Sequence, residues 1–279
     1  MPDVSWNKTN WETNYNWSQL GEEWSAAWGS SDAQWFGTLL PRLRQFLPSG
    51  SVLEIAPGHG RWTKFLLNMS SQYYGVDVSN TCVEHCKKRF PGSGAQFFAN
   101  DGTDLSMIAD GSIDLVFSFD SLVHAEREVL EAYIPQVLSK LRKDGVAFFH
   151  HSNMAALVPL NVGDRARSVD AAVVYDIVRR AGGHALRQEI IKWDSYAALD
   201  CLTLFARNTD YAGSSEPVIN NEFMAEAANC KAYIQPWNFR KIADPARPHF
   251  GEEESPRASI PSRLFRRIRS FSNKHIRAR

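Results

Sequence analysis

From about residue 50 onward, short apolar runs alternate with amphipathic stretches. Residues 51–55, 72–76, 95–99, 113–119 and 145–150 are five to seven long and rich in Val, Ile, Leu, Phe and Tyr. That length and enrichment reads as buried strands. The stretches between them, 62–69, 80–89 and 126–142, carry helical spacing, and Ser168 stands as the N-cap of a further helix over 169–181 that stops at Gly182–Gly183. Residues 185–193 and 201–207 then read as two strands close in sequence, paired antiparallel. Upstream, a helix over 34–46 ends before Pro48. Strands alternating with helices imply a mostly parallel sheet with helices on both faces. The expected fold is therefore α/β: a Rossmann-like, doubly wound, seven-stranded sheet with an antiparallel last strand and an N-terminal helical cap.

Such sheets bind ligands at the carboxyl ends of their strands, so the chemistry is sought there. The first strand runs Val52-Leu53-Glu54-Ile55 into the turn Ala56-Pro57-Gly58-His59-Gly60. Glycines at such a turn let a backbone pass close to a ligand. The second strand ends at Asp77, placed to accept both hydroxyls of a ribose. The third ends in Asn100-Asp101-Gly102, suited to an adenine edge, and the fourth in Phe119-Asp120.

In this order the residues from about Val52 to Asn153 resemble the class I S-adenosylmethionine-dependent methyltransferases. The resemblance implies that Glu54, Ala56, Gly58 and Gly60 hold the methionine part, Asp77 the ribose, Asp101 and Gly102 the adenine, and that Phe119 lines the reacting centre. The first glycine of the family's turn is Ala56 here, followed by Pro57. A dinucleotide-binding oxidoreductase would place a third glycine at position 63, which is Thr63. It also has no use for an acid inside the first strand.

The segments 117–126 and 148–153, with the stretch Gly21-Glu22-Glu23-Trp24-Ser25, also resemble bacterial sugar O-methyltransferases of the mycobacterial methylmannose polysaccharide type. That narrower resemblance implies a sugar or oligosaccharide acceptor. A hydroxyl needs a base or a metal to become a nucleophile near neutrality. His124, His150 and His151 lie just past adjacent strand ends with Asp120. His124 or His151 is the expected base, oriented by Asp120. His150 and His151 are neighbours on a strand and point to opposite faces. Related sugar enzymes bind a divalent metal through acids after the fourth and fifth strands. Asp120 fits the first place, but histidines fill the second, which suits Mg2+ poorly. The stretch 163–167, with Arg165 and Arg167, could close over an acceptor, though a solvated loop is the more ordinary role. The alternatives are N- or C-methylation of a small metabolite, or a non-catalytic module that binds the cofactor.

Composition narrows the setting. Hydrophobic residues make up 44% and charged residues 22% of the 279, as in a globular protein. No apolar run nears the roughly 20 residues of a membrane span, and the first ten residues lack the layout of a signal peptide. Four cysteines in a chain this long indicate a reducing compartment. A cytoplasmic protein is expected. Six of nine tryptophans fall within residues 1–50 (Trp6, Trp11, Trp17, Trp24, Trp28, Trp35), as a lid, a sugar-stacking surface or packing for the cap. Net charge is zero, yet residues 255–279 hold eight basic and no acidic side chains, leaving the remainder at −8. A body of that sign disfavours a nucleic-acid substrate. The tail over 262–277 is amphipathic if helical and could contact an anionic membrane, lie disordered or join copies. The extra segments at both ends offer surface for a homodimer. Four regions result: a Trp-rich cap (1–50), a methyltransferase domain (51–208), a helical extension (209–254) and a basic tail (255–279).

Overall fold

The computed structural model describes residues 2–208, 210–211 and 216–234. The chain begins with three short helices, α1 (Val4–Thr9), α2 (Ser31–Gln34) and α3 (Leu40–Leu43). Asp3 caps α1 by accepting from the Trp6 amide, and Ser30 caps α2 by accepting from the Ala33 amide. The single helix expected over 34–46 is broken. A π-helical turn, Trp35–Leu39, joins α2 to α3. Pro41 supplies a reason, because it has no N–H to bond back one turn.

The body follows as β1 (Ser49–Ile55), α4 (Thr63–Leu66), β2 (Ser70–Asp77), α5 (Asn80–Arg89), β3 (Gln96–Ala99), β4 (Ile113–Ser118), α6 (Arg127–Lys140), β5 (Leu141–Ser152), α7 (Ala171–Arg180), β6 (His184–Trp193), β7 (Tyr196–Ala206), β8 (Val218–Asn220) and α8 (Phe223–Ile234). The strands form one sheet in the order β3-β2-β1-β4-β5-β7-β6-β8. Strands β1 to β5 pair in parallel, and β7 runs antiparallel between β5 and β6. This is the expected α/β architecture with one correction: the sheet has eight strands, not seven. β8 is three residues long and pairs parallel to β6, too short to leave a pattern. The N-cap of α7 also moves. Asp170 accepts from the Val173 amide, while the Ser168 hydroxyl accepts from the Arg127 amide at 2.9 Å and so caps α6.

Alternation along the strands sorts two cores. Val52, Phe117 and Phe148 pack with Trp35, Leu39, Trp62 and Phe65 on one face. Leu53, Val116 and Phe149 pack with Leu130, Ile134, Val174 and Val178 on the other. Trp28 and Trp35 are at most 1% exposed, and each buried ring contributes on the order of 2 kcal/mol. The part of the N-terminal cap from Trp28 to Leu43 thus belongs to the core. The stretch before it forms the roof of the site described next.

All four cysteines are free, and Cys82, Cys86 and Cys201 are buried. Among the described residues no helix is long and apolar enough to cross a membrane. The basic tail and most of the linker before it lie outside the described residues.

Candidate active site

A cavity opens where β1, β2 and β4 end, beneath the N-terminal segment. It is lined by Ala56, Gly58, His59, Asp77, Gly102, Phe119, Asp120 and Tyr133 from the body, and by Trp11, Trp17 and Trp24 from the cap. Ala56 takes φ +57°, a left-handed conformation that glycine adopts freely and alanine does not. The turn thus keeps a glycine-type backbone conformation at an alanine, at a local cost. Gly58 is also left-handed, and a Cβ there would stand 2.8 Å from the Trp17 ring. Gly102 repeats this at the other end, where a Cβ would meet Val4 at 2.8 Å. The cap lies directly on the two glycines.

Asp77 is 4% exposed and accepts from the Gly58 and Ser79 amides, both at 2.9 Å. Burial pushes its carboxyl up to about 6, against the pull of those amides. Each oxygen keeps a lone pair for a further donor. His59 is 8% exposed, and neither ring nitrogen has a hydrogen-bond partner. It is stacked between Trp17, 4.3 Å away by ring centroids, and His85, 3.8 Å away. Burial lowers it to about 4, so the ring is neutral at pH 7.

Three residues expected at the cofactor do not line this cavity. Glu54 is 2% exposed and lies beneath the turn, accepting from Thr63 Oγ1 and the Tyr73 hydroxyl. Burial raises it to about 7. Gly60 makes room for Phe90 and Cys86 of the neighbouring helix side. The Asp101 carboxylate is exposed and closes a turn by accepting from the Thr103 and Asp104 amides. Glu54 and Gly60 shape the turn, and Asp101 shapes the loop that carries Gly102.

At the end of β4 the side chains change character. Asp120 is left-handed, φ +65°, and its carboxylate meets the Arg61 guanidinium at 2.7 Å. Arg61 also donates to Ser25 Oγ and lies over the rings of Trp24 and Trp62, at 5.1 and 4.4 Å. Sequence reasoning missed Arg61, His59 and Asp200. For Asp200 a signal existed, an acid within the apolar run 199–205, because acids are rarely buried without a partner. Arg165, expected in a solvated loop or lid, is mostly buried and bonds Asp200 through Nε and Nη2 at 2.9 Å.

The histidines part company. His151 is fully buried, with Nδ1 at the Ser152 carbonyl and Nε2 at Thr203 Oγ1. Both nitrogens are engaged, so it holds β5 to β7 and is not placed as a base for a cavity substrate. His124 Nδ1 contacts the Asp164 carbonyl at 2.7 Å and therefore carries the proton. The ring sits beside Trp6 and Trp11, outside the cavity lining, and burial lowers its pKa. The donor set does not fit Mg2+ either. Asp120 is committed to Arg61, and among the described residues no three acids, histidines or cysteines converge on a metal-sized point.

For S-adenosylmethionine the fit is better. A buried carboxylate with free lone pairs, two close-approach glycines and an unpartnered imidazole line one groove. When bound, the cofactor supplies an electrophilic methyl group on a sulfonium. Asp77 would hold its ribose, the Gly58–His59 turn its amino-acid end, and the Gly102 loop its base.

Comparison with known proteins agrees. Residues 52–145 match the family described as "Methyltransferase domain". A search of curated proteins finds no match. Among solved structures the chain is similar to an S-adenosylmethionine-dependent methyltransferase from Clostridium acetobutylicum, with 14% identity and a TM-score of 0.52 over 66% of this chain and 92% of that one. A SAM-dependent methyltransferase from Leishmania major gives 12% and 0.54, over 72% and 82%. DhpI, solved as its SAH complex, gives 21% and 0.51, over 75% and 96%. Residues 52–145 thus carry the methyltransferase-domain match, on the Rossmann-like α/β fold that these S-adenosylmethionine-dependent methyltransferases share.

Proposed function

We propose that the protein is an O-methyltransferase that moves the methyl group of S-adenosylmethionine to a hydroxyl of a sugar-sized acceptor. The observation that carries this reading is Asp120: a carboxylate lining a cavity whose walls include Trp11, Trp17, Trp24, Trp62 and Phe119. Aromatic faces take the apolar face of a sugar ring, while the carboxylate takes one hydroxyl. Asp120 accepts that hydroxyl's hydrogen bond, orients the oxygen for in-line attack, and receives the proton as the oxygen becomes an ether. Arg61, 2.7 Å away, holds the carboxylate in place. The roof formed by the cap favours a single sugar ring or a chain end over the middle of an oligosaccharide.

N-methylation of a cationic amine is disfavoured by Arg61 itself. The aromatic seat between Trp24 and Trp62 that would hold an ammonium ion is filled by the guanidinium. The test is transfer of labelled methyl to a panel of monosaccharides, oligosaccharides and amines. Label in a sugar, lost in Asp120→Asn and kept in His151→Asn, supports the reading. Label only in amines, or full activity of Asp120→Asn, overturns it.

A further inference from the structure

Beneath Asp120 runs a buried polar chain that the methyl-transfer scheme leaves unused. The Asp120 amide donates to His150 Nδ1 at 3.1 Å. His150 Nε2 faces the Asp200 carboxylate at 3.3 Å. Arg165, from the loop after β5, grips the same carboxylate. The side chains of His150 and Asp200 are both 0% exposed. Above, Asp120 continues through Arg61 to Ser25 in the cap. The His150 ring lies between Phe119 and Trp193, at 4.5 and 5.0 Å, so its plane is fixed.

We infer that His150 is a positioning residue, whose Nδ1 lone pair holds Asp120 in its left-handed conformation and so aims the carboxylate at the acceptor. The inference rests on the reading that Asp120 meets the acceptor hydroxyl. The physical case is one of need. An aspartate at φ +65° stands in a minor backbone region, and such conformations persist only where surroundings over-determine them. Here Arg61 holds the carboxylate, and the backbone is held by one acceptor atom on a ring packed between two aromatic side chains. An Nδ1 that accepts must be unprotonated, so the ring's proton sits on Nε2. Asp200, 3.3 Å from Nε2 although outside hydrogen-bond geometry, is the negative charge that favours a proton there, and Arg165 keeps Asp200 charged in a dry site. The loop carrying Arg165 is thereby tied to the geometry of Asp120.

Two variants separate this role from simple core filling. Asparagine can place a carbonyl oxygen where Nδ1 stands, whereas glutamine reaches the Nε2 position and leaves the Asp120 amide unpaired. His150→Asn is expected to keep kcat within roughly 10-fold of wild type. His150→Gln is expected to lose roughly 100-fold, because a misplaced reacting group costs about that much. Cofactor Kd should stay level in both. Equal kcat in the two variants overturns the inference. Asp120→Asn, run alongside, isolates the underlying reading: if it is fully active, that reading fails and the inference with it. If it is inactive while the two His150 variants match, only the positioning role fails. Should either variant not fold, side-chain 15N spectra of the wild-type protein decide. Nδ1 of His150 unprotonated and Nε2 protonated at pH 7 is the required result, and a proton on Nδ1 overturns it.

Discussion

The two halves of the cavity are built on different principles. At the ends of β1, β2 and β3, binding groups are backbone amides, two glycines and one buried carboxylate, all within a few residues of a strand end. At the ends of β4 and β5, they are polar side chains joined across the sheet: Arg61 to Asp120, Asp200 to His150 and Arg165. The first half can bind a constant ligand with little side-chain chemistry. The second half holds a carboxylate at a set angle, which is what a reacting oxygen needs. Substitutions in the first half should therefore act on cofactor affinity, and substitutions in the second on turnover.

The largest effect is expected at Asp120. Asp120→Asn should lower kcat roughly 100-fold or more, the range of a positioned proton acceptor, with cofactor Kd unchanged in a titration. A matched loss in Kd would erase the distinction between the halves. Next comes Glu54, which supports the first half from below. Its folded pKa, about 7, stands above the ordinary 4.5, so its contribution to stability is complete below pH 4.5 and is lost as pH rises through 7. Glu54→Gln should exceed wild type in denaturant stability at pH 8 by up to about 3 kcal/mol, and match it near pH 4.5. A constant offset at all pH values would refute this. Asp77→Asn should weaken cofactor binding roughly 10- to 100-fold, the worth of charge-assisted hydrogen bonds, with kcat at saturation nearly intact. In the wild type, binding should weaken as pH falls through about 6, because the buried carboxyl then takes a proton. The smallest effect is at Ala56. Ala56→Gly relieves a left-handed alanine worth about 1–2 kcal/mol, less about 0.4–1 kcal/mol of added chain entropy. Thermal unfolding should show a gain below about 1.5 kcal/mol.

The same division explains what could be read from the chain. Strand ends and the glycine turn are local, so Ala56, Gly58, Asp77, Gly102, Phe119 and Asp120 were placed from sequence and line the cavity. Glu54 was legible as an acid at a strand end, but its partners Thr63 and Tyr73 come from elsewhere, and they turn it away from the ligand. His151 looked like a base because its bonds to Thr203 depend on β7 lying beside β5, a pairing decided by topology. Arg61 and Asp200 escaped for the same reason: each has meaning only through a partner 59 or 35 residues away. The metal expectation failed on the same ground, since the acid offered to Mg2+ was already held by Arg61. The eighth strand escaped for want of length.

That short strand has a consequence beyond its three residues. A sheet ends in open rows of amide and carbonyl groups that other chains can extend, and long flat edges invite self-association. Here one rim is β3, four residues long, and the other is β8, which pairs with Glu189, Ile190 and Ile191 in the middle of the ten-residue β6. Asn220 pins it by donating to Glu189, itself clamped by Arg42. The extension beyond β7 thus blunts the edge of β6 and works against sticking between copies, whatever else it contributes to the chemistry.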